Sequence, residues 1–466
     1  MRINKSNIIK VMIQVVFIII ILIIGSKPGI VLPNDICLMG FISLISLFAF
    51  ILGRYVPVIS ISWLTVIFLY LYSFGQIWLL LFGADLPNGS FQVTQYGNEV
   101  LFKSIVFALS TINCLQLSLL VFRLFSKRAR FSGTNSPLPE NSLKYASLIL
   151  FLFCLAVVTY NDLIQIAAAK TIGYVGAFVL GRNNQIIQIG IYLFPFAICL
   201  LLLVSKPRIK KLILTYSVLR CLVMMILVGN RGQYIALLAV LLLIYFHDLR
   251  DKSKKTSFLF YFKYFLIGVG VIVLASYIAL TRNITASQTS VVDVLTKNNI
   301  IVQLLNEMGG TLINTEIAIN IIPTSLPVGK GISYIGSLIQ LIPNMSSMLP
   351  GLVKFNDLGV GFNSYFTKGS GLGGSYIAEM YFNFGWFSLL FQCLAGWGLT
   401  RLDNILLNSH VGLLKKAIVY FYAHAIFMYL RGNFSEMAVY TRFLIYFMVF
   451  YLVLRFLIKQ DSRLID

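Results

Sequence analysis

Apolar residues along this chain fall in long unbroken runs, and the polar residues collect between them. A membrane-crossing helix needs about 20 apolar residues. Runs of that kind lie near 8–25, 36–53, 58–83, 100–122, 145–160, 187–204, 212–229, 233–247, 258–280, 376–398, 417–431 and 437–458. The pattern predicts an all-α polytopic membrane protein with about 12 transmembrane helices, two short ones meeting at Arg231. No internal repeat is visible.

The segments between the runs are uneven. Residues 161–186, beginning "NDLIQIAAAKTIGYVG", predict a helix lying on the membrane surface. Residues 281–375 are too long for a simple connector. Within them "VVDVLTKNNIIVQLL" and "TLINTEIAINII" predict short helices, and "PTSLPVGKG", "IPNMSSMLPG" and "GSGLGGS" predict compact loop. The chain thus divides into residues 1–280 with the first nine helices, the large loop 281–375, and residues 376–466 with three more helices and a tail. Function concentrates on loops held by a rigid scaffold, so the large loop is the first place to look.

Composition agrees with a membrane protein. The chain is 58% hydrophobic and 11% charged, where soluble domains carry about 25% charged residues. The balance of 37 Lys and Arg against 16 Asp and Glu gives +21. In a soluble protein that would suggest nucleic acid as partner; here the cations sort by topology. With the N-terminus inside, the cytoplasm receives Arg2, Lys5, Lys10, Arg54, "RLFSKRARF", Lys144, "SKPRIKK", "DLRDKSKK", Arg401, Lys415, Lys416, Arg455, Lys459 and Arg463, which are 23 of the 37. This is the positive-inside pattern, with both termini cytoplasmic and the large loop outside. The charge then serves insertion and contact with anionic membrane lipids, and no nucleic-acid site is needed. The basic N-terminal run resembles a signal peptide without a clean cleavage site, and predicts a retained first helix. Six cysteines lie in or beside apolar runs without metal spacing, and predict no disulfides.

Four arginines oppose the orientation signal by falling outside at span ends: Arg182, Arg231, Arg282 and Arg431. Arg231 in "VGNRGQ" and Arg431 in "YLRGNFSE" share an Arg-Gly pair at a tight turn. Guanidinium forks bind phosphate oxygens, and glycine lets the backbone approach as well. The simpler reading is that each arginine snorkels to lipid head groups or water; four on one face favour an anion site. Among the outer acids, Glu379 in "SYIAEMYFNFGW" and Glu307 in "NEMGG" are candidate general bases, against ordinary roles in an ion pair or on a solvated helix. Tyr334, Phe355, Phe362 and Tyr365 are placed to stack on sugars or to fill a core. His424 reads as a hydrogen-bonded core residue, and the span residues Arg220, Lys263 and Arg442 read as cross-helix partners. The chain has no Walker loop, no Gly-x-Gly-x-x-Gly opening a soluble nucleotide domain and no clustered His, Cys or Asp metal set. That argues against an ATP-driven pump and against a nucleotide-sugar transferase with an aspartate-bound metal.

"VGNRGQ", "LNEMGGTLINTEIAINIIP" leading to "GISYIGSLIQLIPN", and "SYIAEMYFNFGWFSLLFQCLAGW" resemble the Wzy family of O-antigen and oligosaccharide repeat-unit polymerases. So does the layout of spans with one large late loop. An Arg-x10-Gly spacing of some members occurs only at Arg401 and Gly412, on the cytoplasmic side. The resemblance implies a GT-C-like glycosyltransferase of the bacterial inner membrane without a metal or other cofactor. It would move a glycan from undecaprenyl pyrophosphate onto the next lipid-linked repeat unit. Arg231 and Arg431 would hold the leaving pyrophosphate, with Arg282 and Arg182 nearby and Glu379 or Glu307 receiving the acceptor proton. A chain-length regulator and a flippase are the partners such a protein implies. The alternatives are a lipid-linked oligosaccharide flippase or transporter, which the missing repeat disfavours, and an O-antigen ligase.

Overall fold

The structure is a computed structural model that describes residues 5–27, 29–84, 86, 92–125, 140–180, 184–229, 232–252, 300–342, 345–353, 355–362, 373–408 and 410–462. Among the described residues the chain is all helix and turn, with no strand. Among the described residues ten helices carry the length and hydropathy to cross a membrane. They belong to α1 (Lys5–Gly25), α2 (Pro33–Gly53), α3 (Ile61–Leu81), α4 (Asn98–Phe125), α5 (Glu140–Leu180), α6 (Gln185–Val204), α7 (Pro207–Val228) and α8 (Gly232–Lys252). The last two are α17 (Leu413–Leu430) and α18 (Phe434–Ser462), which follow the loop helices and one further helix, Ser388–Leu407. The run expected at 258–280 lies outside the described residues.

Local chemistry fixes the ends. Ser60 caps α3 by accepting from the Trp63 amide, and Asn184 caps α6 by accepting from Ile186. Pro33 and Pro207 open α2 and α7, where a missing N–H costs nothing. α7 stops at Gly229, whose φ of 81° suits a residue without Cβ.

The helices α3 and α4 are the most buried spans and α1 the least. What fastens α1 is polar. Gln14 donates to Asn113 Oδ1 at 2.7 Å and to Gln116 Oε1 at 2.9 Å. Ser46 Oγ reaches the same Asn113 oxygen at 2.8 Å, and Tyr70 donates to Ser46 at 2.7 Å. Four helices therefore share one buried hydrogen-bonded cluster where lipid offers no competing partner.

Two segments depart from the expectation. Residues 161–171 do not form a separate surface helix; they continue α5, and the crossing segment runs Leu143–Thr171. Its Asp162 faces Arg220 of α7 across the bundle, with Nε and Nη2 at 2.7 and 2.9 Å from the two carboxylate oxygens. This pair gives Asp162 a place inside the bundle that a polar surface helix would not need. The run 376–398 is likewise not one helix. It divides into α15 (Tyr376–Phe384) and α16 (Ser388–Leu407) at Gly385, whose φ is 54°. Sixteen residues of straight helix would span about 24 Å, yet Tyr376 Oη donates to Gln392 Oε1 at 2.7 Å. The short helix is folded back on the long one.

The large loop is built into the bundle. Its described helices are α9 (Ile300–Gly309), α10 (Leu312–Ile321), α11 (Ile332–Ile339), α12 (Met345–Met348), α13 (Pro350–Val353) and α14 (Leu358–Phe362). The backbone of α9 at Gly309 meets that of α3 at Gly75 and Gln76, where a Cβ on either glycine would overlap main-chain atoms. The helix α10 is buried on nearly every side. These helices lie at one end of the bundle, the loop face. At the opposite end, Asp403 of α16 accepts from the Ile61 amide at 2.9 Å and the Ser62 hydroxyl, tying α16 to the start of α3.

Candidate functional site at the loop face

Where α11, α15 and the α17–α18 turn meet, a polar layer is sealed among aromatic rings. Glu379 of α15 is fully buried. Its Oε1 accepts from Ser333 Oγ at 2.6 Å and its Oε2 from the Phe434 amide at 2.9 Å. Asn383, one turn along, donates to Ser333 Oγ at 2.7 Å and accepts from the Ser333 amide at 3.3 Å. Burial pushes the Glu379 carboxyl up to about 7, against the lowering effect of these donors. Phe434 opens α18, so Glu379 fills the role of a helix N-cap from a distant part of the chain.

The turn so held carries Arg431, Gly432 and Asn433. Asn433 donates to Asp357 Oδ1 at 2.9 Å and accepts from the Leu358 amide at 3.3 Å. Gly374 packs on the Gly432 carbonyl so closely that a Cβ would collide with it. Arg431 is half-buried, with its guanidinium carbon 6.0 Å from the centre of the Tyr72 ring. Among the described residues no carboxylate lies within ion-pair distance of it. It is a cation held in place by its backbone, over an aromatic face, with donors left for an incoming anion.

The helix ends that flank the second Arg-Gly pair, Gly229 after α7 and Gly232 of α8, are described. Gln233 and Tyr234, at the start of α8, and His424, near the end of α17, line one cavity with Phe194, Pro195 and Arg220. Its volume is about 10 Å³, room for one water. Gly229 and Gly232 bracket the turn, but Arg231 itself lies outside the described residues. So do Arg182, Arg282 and Tyr365, and the structure neither brings them to the site nor removes them.

Of the other sequence-predicted residues, Glu307 is half-buried on α9, close to the Gly75 crossing. Tyr334 sits inside the polar layer. Its hydroxyl is 3.1 Å from Met380 Sδ and 3.3 Å from Tyr429 Oη. Its ring stacks on Phe384 and meets the edge of Phe434, so its faces are taken by neighbouring rings. Phe355 and Phe362 both pack on Phe382. The residues that sequence reasoning missed are Ser333, Asn383 and Asn433, small polar groups whose partners lie 46 to 76 positions away. Glu316 of α10 is one of the outer acids in the sequence, where nothing singles it out. It is fully buried, no hydrogen-bond donor reaches either oxygen among the described residues, and burial drives its carboxyl well above the usual range. Among the described residues no cluster of three His, Cys, Asp or Glu side chains exists to hold a metal.

These features define a polytopic helical membrane protein with a fixed, cation-bearing turn at one face. The chain matches the family model of O-antigen polysaccharide polymerase Wzy over residues 8–461, nearly its whole length, and it belongs to that family. No curated protein and no solved structure matches it.

Proposed function

We propose that this protein polymerises undecaprenyl-pyrophosphate-linked O-antigen repeat units on the periplasmic side of the bacterial inner membrane, as a GT-C-type glycosyltransferase. The observation that carries the reading is the family match across residues 8–461. The cation distribution supports a periplasmic loop face. The acceptor unit's sugar hydroxyl attacks the anomeric carbon of the growing chain. The bond from that carbon to the pyrophosphate breaks, its electron pair leaving with undecaprenyl pyrophosphate, while the hydroxyl proton passes to a base.

Arg431 stabilises charge developing on the leaving pyrophosphate, joined by Arg231 from the neighbouring turn and by Arg282 and Arg182. Glu379 has both oxygens committed to fixed donors, so it acts as a positioning residue that sets the Arg431 turn. Glu307, half-buried on α9, is the remaining candidate base. A flippase would supply acceptor units and a chain-length regulator would govern termination.

The test is a lipopolysaccharide gel. A deletion strain is expected to carry core capped with a single repeat unit. Core without any repeat would mark a ligase or flippase instead. In the complemented strain, Arg431→Ala is expected to lower the polymerisation rate about 30- to 1,000-fold, as for loss of one preorganised donor of about 2–4 kcal/mol. Normal ladders from a stably expressed Arg431→Ala protein would remove that residue from the mechanism.

A further inference from the structure

Residues 331–353 contain no Asp, Glu, Lys or Arg and are flanked by Lys330 and Lys354. We propose that the described parts of this segment, 331–342 and 345–353, are the two limbs of a re-entrant hairpin that enters the leaflet on the loop face, lies against lipid hydrocarbon and returns to the same side. The inference goes beyond the polymerase reading and does not depend on it.

Depth is the first argument. Ser333, at the start of α11, and Phe434, at the start of α18, hydrogen-bond the same carboxylate, so the two helices begin at one level. Further along, Arg442 Nη1 donates to the Gln340 carbonyl at 3.2 Å. Gln340 is about 10 Å beyond Ser333 and Arg442 about 12 Å beyond Phe434 at the helical rise. The two helices therefore descend side by side, and α18 is one of the membrane-length helices. The contact also accounts for Arg442 within a span. A cation at the carbonyl end of α11 satisfies a group that hydrocarbon would leave orphaned, and it complements that helix's dipole.

Exposure is the second argument. Ile335, Leu338 and Ile342 are 53%, 51% and 55% exposed, and Met348 is 73% exposed. Leu349 and Leu352 add to this surface. Large apolar side chains grouped this way on an uncharged segment fit hydrocarbon, and water would disfavour them. The return limb is fastened: Gly336 of α11 touches the Leu352 carbonyl and Asn356 Oδ1, with no space for a Cβ. Lys330 is exposed where the segment begins, as a head-group anchor should be.

The unmodified chain tests this in liposomes containing a phospholipid with a diazirine in its acyl chain. Photolysis and peptide mapping are expected to find adducts within 331–353 at a yield similar to α18. Hydroxyl-radical footprinting from the aqueous side is expected to mark the turn at 92–97 several-fold more than 335–352. Absence of lipid adducts, or aqueous labelling equal to that of the turn, would overturn the hairpin. Labelling in liposomes that disappears in native membranes would show a protein partner on this surface and would also overturn the proposal. So would labelling that falls as the protein-to-lipid ratio rises, which would indicate a second copy there.

Discussion

Replacing Glu379 by glutamine separates a structural carboxylate from a catalytic one. Burial holds the group at about 7 against 4.5 for an ordinary glutamate. The folded state therefore binds a proton more tightly than the unfolded state. Stability from this group is fully present below pH 4.5 and falls as pH rises to about 7, above which the loss is complete. A difference of about 2.5 units corresponds to roughly 3 kcal/mol. Glutamine keeps an oxygen for the Phe434 amide and offers an amide group to Ser333 Oγ, so near pH 5 it should match the neutral acid. Glu379→Gln is expected to flatten the decline, ending more stable than the parent at pH 8 by up to about 3 kcal/mol. Thermal unfolding in detergent, read by a thiol-reactive dye on the buried Cys154, Cys199 and Cys221, would measure this. Polymer formation should survive, because the turn is still capped. A variant with the parent's pH profile would refute the electrostatic argument. One with the predicted stability and no polymer would move Glu379 from positioning into the chemistry.

Two other substitutions test the bundle itself. Asp162→Ala leaves the Arg220 guanidinium buried without its partner and should cost about 3–5 kcal/mol, and joint replacement of both by leucine should cost less than that single change; the same thiol assay decides. Gln14→Leu removes the donor that holds α1 and should lower stability by about 1–2 kcal/mol; unchanged unfolding would mean that lipid packing alone retains α1.

Most membrane helices were legible because hydropathy contrast over about 20 residues is a strong signal. The reversal at Gly385 was not, since 376–398 is apolar enough overall to read as one span and the chain turns at a glycine of positive φ. The aromatic residues on both sides of that glycine hide it in any composition window. Asp162 was misplaced for the opposite reason: a charged residue after an apolar run reads as the end of a span, unless its partner 58 positions on is known. At the candidate site, Arg431 was readable as a cation against the topology. The Glu379 layer was not, because it joins a serine, an asparagine and a backbone amide with no spacing signature. Arg442 meets a carbonyl, and a backbone acceptor leaves no trace in sequence.

The contact between Gly75 and Gly309 carries a lesson for building hybrids among these polymerases. A loop of this length invites exchange as a cassette, to transplant one member's specificity onto another's bundle. Here the loop backbone rests directly on the α3 backbone, and neither side tolerates a methyl group. A graft bounded at the ends of the loop would bring a foreign α9 against a native α3 and break that fit wherever either glycine differed. The transferable unit is the loop together with α3, two segments far apart in sequence that have to travel as one part.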